Sequence, residues 1–127
     1  MPGPPVRRQR ADLKDGETGS AVITFGQSIS EARKRKNMSQ RQLAARIIKE
    51  DGQPISPQYL NDFERDRRTP SSDRLIEQLA EVLGISEYVL YHRAGEVPRD
   101  LRDTGADDET VVKAWTAFRR ALLRGRG

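Results

Sequence analysis

Residues 55–70 read ISPQYLNDFERDRRTP, and the folding of this stretch decides the architecture around it. Ser56 is a favourable N-cap. Pro57 follows at the first helical position, where its missing N–H costs nothing. A short helix therefore starts here and ends near Arg65, and the Thr69–Ser72 run TPSS is the next punctuation. The two sides of this helix differ. Leu60 and Phe63 turn inward, whereas Gln58, Asn61 and Asp62, at i, i+3 and i+4, share the opposite face.

Working outward, Thr24 followed by Gln27 is a capping box, with Phe25, Ile29 and Ala32 at helical spacing behind it. That first helix runs to about Lys36, and Asn37 suits a left-handed stop. Ser39 and Gln42 form a second box ahead of Leu43, Ala44 and Ile47, and Leu60 and Phe63 are expected to pack on Leu43 and Ile47. Between the two short helices, KEDGQP (Lys49–Pro54) is a loop by its Gly, Pro and charges. Beyond TPSS, Leu75, Ile76, Leu79, Ala80, Val82 and Leu83 make the strongest apolar stripe, stopped by Gly84. Ser86 opens a fifth short helix through Tyr88, Val89, Leu90 and Tyr91, ending by Gly95. No strand pattern or internal repeat is visible, so the fold class is all-α: five short helices, then a sixth.

The chain has 127 residues, 35% hydrophobic and 33% charged, enough for one small domain with tails. Residues 1–21, rich in Pro, Gly and mixed charge, read as a disordered arm. Residues 22–95 form the helical domain, 96–106 a linker and 107–127 a separate amphipathic helix. Net charge is +4, but residues 22–92 carry 11 Lys/Arg against 10 Asp/Glu. Within that near-neutral segment the signs separate. Arg33–Lys36 (RKRK) and Arg65–Arg68 (RDRR) are basic knots, and a domain with one positive side suits a polyanion on that side. Solvated charged faces are the plainer reading of the same knots.

Other chemistries find little support. With no cysteine, disulfides and thiolate zinc sites are excluded, and a reducing cytoplasm fits. The first twenty residues hold no apolar run of a secretory signal, and no segment approaches the roughly 18 apolar residues of a membrane span. The single histidine, His92, reads as a helix-end residue. It has no nucleophile elbow beside it, and no phosphate-binding glycine loop is present. No enzyme activity, cofactor or metal is expected.

Two short helices, the second with a polar outer face, make the helix-turn-helix arrangement, whose second helix enters the major groove. Gln and Asn can pair bidentately with adenine, and Asp can accept from the cytosine amino group. Residues 25–91 resemble the Xre family of lambda-repressor-like regulators. The resemblance is carried by Arg33, MSQRQLA (Met38–Ala44), ISPQYLNDFERDRRTP and LIEQLAEVLGIS (Leu75–Ser86). It implies a five-helix domain, usually working as a homodimer on a two-fold symmetric double-stranded operator in a bacterial or phage cytoplasm. It also implies that Gln40 contacts a phosphate, that Gln58, Asn61 and Asp62 face bases, and that Arg33 pairs with Glu64 in a structural salt bridge. Around these, Lys36, Ser39, Arg41, Arg67, Arg68 and Thr69 are candidates for gripping the DNA backbone. Arg7–Arg10 belong to a disordered arm, with minor-groove contact as the alternative.

Two departures from the family pattern stand out. Ile48–Pro54 lengthens the connection between the paired helices, at little entropic cost if it rides on the surface. Asp66 stands where the family often has Gly, so a different end to the reading helix is expected. In the last segment, Val111, Trp115, Phe118 and Leu122 form a seam at spacings of four, three and four. Acidic residues sit at its start and Arg119, Arg120 and Arg124 near its end, complementing the helix dipole. The seam either folds back on its own domain or pairs with a second copy, and in some regulators of this type this segment meets a protein partner such as a protease or a toxin. A repressor and an antitoxin-type interaction protein both remain open.

Overall fold

A computed structural model of the chain describes residues 23–125. Among them are seven helices: α1 (Phe25–Arg35), α2 (Gln40–Arg46), α3 (Pro57–Glu64), α4 (Asp73–Leu83), α5 (Glu87–Ala94), α6 (Arg99–Arg102) and α7 (Asp108–Gly125). Two compact units result, the first ending at Glu96 and the second starting at Val97. The N-terminal arm with Arg7–Arg10 lies outside the described residues.

In the first unit the helices begin where side chains can satisfy their free N–H groups. Thr24 Oγ1 accepts from the Gln27 N–H while Gln27 Oε1 accepts from the Thr24 N–H. Ser39 and Gln42 exchange the same pair of bonds ahead of α2. Ser56, Ser72 and Ser86 each accept a backbone N–H of the helix they precede. Four helices also end alike. Met38 donates to the Arg33 carbonyl, Arg67 to Asp62, Ile85 to Ala80 and Glu96 to Tyr91, the six-to-one closure of a left-handed C-terminal turn. At these four ends the residues in the left-handed region are Asn37, Asp66, Gly84 and Gly95.

The core gathers Phe25, Ile29, Leu43, Ile47, Leu60, Phe63, Leu79 and Leu90, with Tyr91 at its edge toward α4. Phe63 stands edge-on to Phe25, centroids 6.3 Å apart, and 4.7 Å from the Tyr59 ring. Each such side chain, fully buried, contributes about 1.5–3 kcal/mol of transfer free energy. Of the apolar residues of α5, only Leu90 and Tyr91 are buried, while Tyr88 and Val89 face solvent. The Tyr91 hydroxyl lies 3.1 Å from Asp73 Oδ1 and 2.9 Å from Glu77 Oε2. Its one proton serves one carboxylate at a time. Burial, with these hydrogen bonds, pushes the hydroxyl well above its ordinary value.

The connection between α2 and α3 is more ordered than a composition-based loop. Ile47 leaves α2 in extended conformation, Ile55 donates to its carbonyl at 2.9 Å, and Lys49 donates to Gln53 at 2.8 Å. Ile48 and Pro54 form an isolated antiparallel bridge. The result is a miniature hairpin with a three-residue loop, Glu50–Asp51–Gly52, and Gly52 at φ 88° supplies the left-handed residue such a loop requires. Both isoleucines at its base are buried. The carboxamide of Gln78 on α4 then acts as a strand partner. It accepts the Ile48 N–H at 2.9 Å and donates to the Ile48 carbonyl at 2.7 Å.

In the second unit, α6 adds one helical turn inside the segment expected to be linker, after Pro98, whose fixed φ suits a helix start. Among the described residues the helices therefore number seven where six were expected. At the start of α7, Asp107 Oδ1 accepts the Thr110 N–H at 2.9 Å, and Thr110 holds the Asp107 carboxyl below the usual range. No residue of α7 is buried. Val111, Trp115, Phe118 and Leu122 are 40–53% exposed, with the Trp115 and Phe118 rings edge-to-face at 5.4 Å.

Candidate nucleic-acid interface

Helix α3 places its outer face where the Ser56–Pro57 start and the inward Leu60 and Phe63 oblige it to be. Gln58 is exposed, and Asn61 and Asp62 are half-buried beside it. Gln58 Nε2 donates to Asp62 Oδ1 at 3.1 Å, so these two form one unit. Asn61 belongs to another. Gln40, the first residue of α2, donates from Nε2 to Asn61 Oδ1 at 3.1 Å and to Glu64 Oε1 at 3.0 Å. The resemblance implies a phosphate contact for Gln40; in the structure its Nε2 is held by two α3 side chains.

Glu64 joins that network to α1. Arg33 Nε donates to Glu64 Oε2 at 2.7 Å, Arg33 NH2 to Glu64 Oε1 at 3.0 Å, and Arg33 NH1 to the Met38 carbonyl at 2.8 Å. This is the bidentate fork geometry that arginine offers a carboxylate. The two side chains are 12% and 5% exposed, and Glu64 holds the guanidinium above its ordinary value through the hydrogen bond, against some desolvation. The bridge fixes the α2–α3 pair to α1.

Just past the same C-terminal end of α3, Asp66 occupies the position where glycine is usual and still takes the left-handed conformation, φ 59°. The different helix end expected there does not occur. The reason lies across the fold. Asp66 Oδ1 accepts the Gly26 N–H at 2.9 Å and Oδ2 accepts the Thr24 hydroxyl at 2.7 Å, so the carboxylate caps the positive N-terminus of α1. Helix α1 approaches α3 so closely that a Cβ on Gly26 would lie 2.6 Å from the Phe63 carbonyl oxygen and press on that of Glu64.

Arg67 and Arg68 follow this face directly and are exposed, as are Lys36, Ser39, Arg41 and Thr69; the Lys36 side chain runs by Gly84 at the end of α4. The Arg67 and Arg68 side chains both reach Asp62, at 3.4 and 3.6 Å. Arg68 also lies over the Tyr59 ring, 5.1 Å from its centroid, a contact that sequence reasoning missed. The tertiary partners of Gln78 and Asp66 were missed as well. An Asp where the backbone asks for glycine is a signal that it has a partner, but not which one. A polar cleft beside α3, lined in part by Gln27, Ser30, Lys34, Gln40, Asn61 and Arg65, continues the same surface toward α1.

A short helix pair locked to a third helix, with an exposed polar face on its second member, defines a helix-turn-helix domain. Residues 29–90 match the family model described as Helix-turn-helix, and these residues form a helix-turn-helix domain of the lambda-repressor-like (Xre) type, the DNA-binding module of a transcription regulator. The chain is also similar to a solved structure of a SinR protein/SinI protein complex, at 22% identity and a TM-score of 0.45, over 77% of this chain and 99% of that one. No curated protein matches. Among the described residues, no helix is long and apolar enough to cross a membrane.

Proposed function

We propose that the protein is a dimeric repressor that reads double-stranded DNA in the major groove with α3 and acts in the cytoplasm on its operator. The observation that carries this reading is the outer face of α3. Gln58 stands exposed there, Asn61 and Asp62 border it, and Arg67, Arg68 and Thr69 follow directly. In this reading Gln58 reads a base edge, with Asn61 and Asp62 beside it. Lys36, Ser39, Gln40, Arg41, Arg67, Arg68 and Thr69 border the backbone on either side. Residues 22–95 act as the DNA-binding domain, and 107–127 supply the dimer contact.

Dimerisation through α7 rests on its exposed seam, Val111, Trp115, Phe118 and Leu122. An antiparallel pairing would also set the Asp108–Glu109 end of one copy against Arg119, Arg120 and Arg124 of the other. Helix-turn-helix dimers read two half-sites about 34–36 Å apart, one turn of DNA. The experiment is selection of bound fragments from a random DNA library by purified protein at near-physiological salt. A two-fold symmetric motif is the expected result. A folded protein that enriches no motif refutes it.

The exposed seam supports a second reading, an antitoxin-type protein that binds a partner such as a toxin or a protease through α7 and uses the DNA-binding domain for autoregulation. Removing residues 111–127 separates the two. Under the first reading, sedimentation shows a dimer becoming a monomer and symmetric-site affinity falls. Under the second, the oligomeric state is unchanged.

A further inference from the structure

Asp62 stands on the outer face of α3, yet both of its oxygens are already engaged within the protein. Oδ1 accepts from Gln58 Nε2 at 3.1 Å and from Arg67 NH1 at 3.4 Å, and Oδ2 faces Arg68 Nε at 3.6 Å. The Asp62 side chain is 19% exposed, whereas Arg67 and Arg68 are 57% and 55% exposed. The backbone enforces this grouping. The left-handed turn at Asp66 brings the Arg67 N–H to the Asp62 carbonyl at 2.9 Å, folding the basic run back over the last turn of α3. Tyr59 then holds Arg68 from beneath through its ring face.

From this geometry we infer that Asp62 is a positioning residue for specificity: its carboxylate holds Arg67 and Arg68 against α3 and so weakens the grip on non-cognate DNA. The inference rests on the reading of α3 as the DNA-contacting helix. Its physical basis is competition. A phosphate and the Asp62 carboxylate seek the same two guanidinium groups, so a passing duplex meets a cluster of net charge about +1 rather than +2. The ion pairs are long and solvent-facing, hence weak enough to exchange. In a cognate groove, the seated α3 brings phosphates to the outward N–H groups of arginines that stay paired with Asp62, so the carboxylate costs little there. On random DNA the arginines must leave the carboxylate to reach a phosphate. Affinity for the wrong sequence falls further than affinity for the right one, which is discrimination without a contact from Asp62 to any base.

The test is a double-mutant cycle on the full chain: wild type, Asp62→Asn, Arg67→Ala/Arg68→Ala, and all three changes together. Asparagine keeps the shape and the Gln58 contact while removing the charge, and melting curves confirm that each variant folds. Affinity is measured across a salt series for the selected motif and for a random duplex of equal length. Asp62→Asn is expected to bind the random duplex roughly three- to tenfold tighter, judging from the strength of exposed ion pairs. The ratio of specific to random affinity should fall. The plot of log affinity against log salt should steepen by about 0.9 for each arginine released to a phosphate. In the arginine-free background the same substitution should change random binding less than about twofold.

Three results overturn the inference. Unchanged or weaker random binding by Asp62→Asn removes the restraint, and if specific binding alone is lost, Asp62 is a direct base acceptor. A gain that persists in full without the arginines reduces the effect to plain repulsion between carboxylate and DNA. Wild-type protein that binds neither duplex rejects the DNA-contacting reading of α3 itself, and the inference with it.

Discussion

Replacing Asp66 by glycine tests the link between backbone conformation and tertiary capping. Asp66 sits at φ 59°, a conformation that costs a residue with a Cβ about 1 kcal/mol relative to glycine. On backbone grounds alone, Asp66→Gly should stabilise the domain by about that amount. The structure reverses the sign. The same carboxylate accepts the Gly26 N–H at 2.9 Å and the Thr24 hydroxyl at 2.7 Å, contacts 40 and 42 residues away in the chain. Hydrogen bonds to a charged group contribute about 1.5–3 kcal/mol each. Because the Gly26 contact is half-buried and the Thr24 contact exposed, a combined loss of about 2 kcal/mol is reasonable. The net effect is a destabilisation of about 1 kcal/mol, or a melting temperature lower by about 4–8 °C for a domain of this size. Urea unfolding followed by far-ultraviolet circular dichroism measures it, with Asp66→Asn as the companion. Asparagine tolerates the left-handed region and keeps one acceptor, so it should fall between wild type and glycine. A glycine variant more stable than wild type would refute the capping argument.

Other substitutions probe the remaining contacts. Gly26→Ala places a methyl group against the Phe63 and Glu64 carbonyls. It should cost about 1–3 kcal/mol in chemical denaturation despite alanine's better helix propensity, since backbone cannot yield as a side chain can. Glu64→Gln leaves Arg33 a largely buried cation without its carboxylate, and a loss of about 3–5 kcal/mol is expected in the same assay; an unchanged midpoint would show that the bridge does not hold α3 to α1. For Tyr91, the folded-state pKa is raised above the ordinary 10.0, so the fold favours the neutral hydroxyl. Its contribution is fully present below pH 10.0 and declines as pH rises above that value. Unfolding measured over an alkaline series should show this decline in wild type and a flatter profile in Tyr91→Phe. Finally, Gln58→Ala should cost roughly 1–3 kcal/mol on the selected site and little on random DNA, by fluorescence anisotropy. Equal losses on both would show that Gln58 grips rather than reads.

How much of this was legible in the sequence follows from the range over which each force acts. Helix starts are local: a hydroxyl or carboxamide reaches an N–H two or three residues away, so Thr24–Gln27, Ser39–Gln42 and Ser56–Pro57 disclose them without tertiary information. The apolar spacing of Leu75, Ile76, Leu79 and Leu83 discloses a buried face in the same way, and with it the all-α class. Asn37 could be read as a left-handed stop because its short side chain tolerates that region wherever it lies. The ordered hairpin could not, because it depends on Gln78, 30 residues on, supplying the donor and acceptor of a missing strand. Asp66 looked like a departure from a glycine position, and only the approach of α1 to within backbone contact of α3 turns it into a cap. For Gln40 the resemblance implied a phosphate contact; that its Nε2 meets Asn61 and Glu64 is decided only once α2 and α3 cross. Periodicity and capping are properties of neighbouring residues and survive in a linear reading. The direction of a polar side chain is set by whichever partner the packed core brings within 3 Å, and that partner is chosen by the tertiary structure alone.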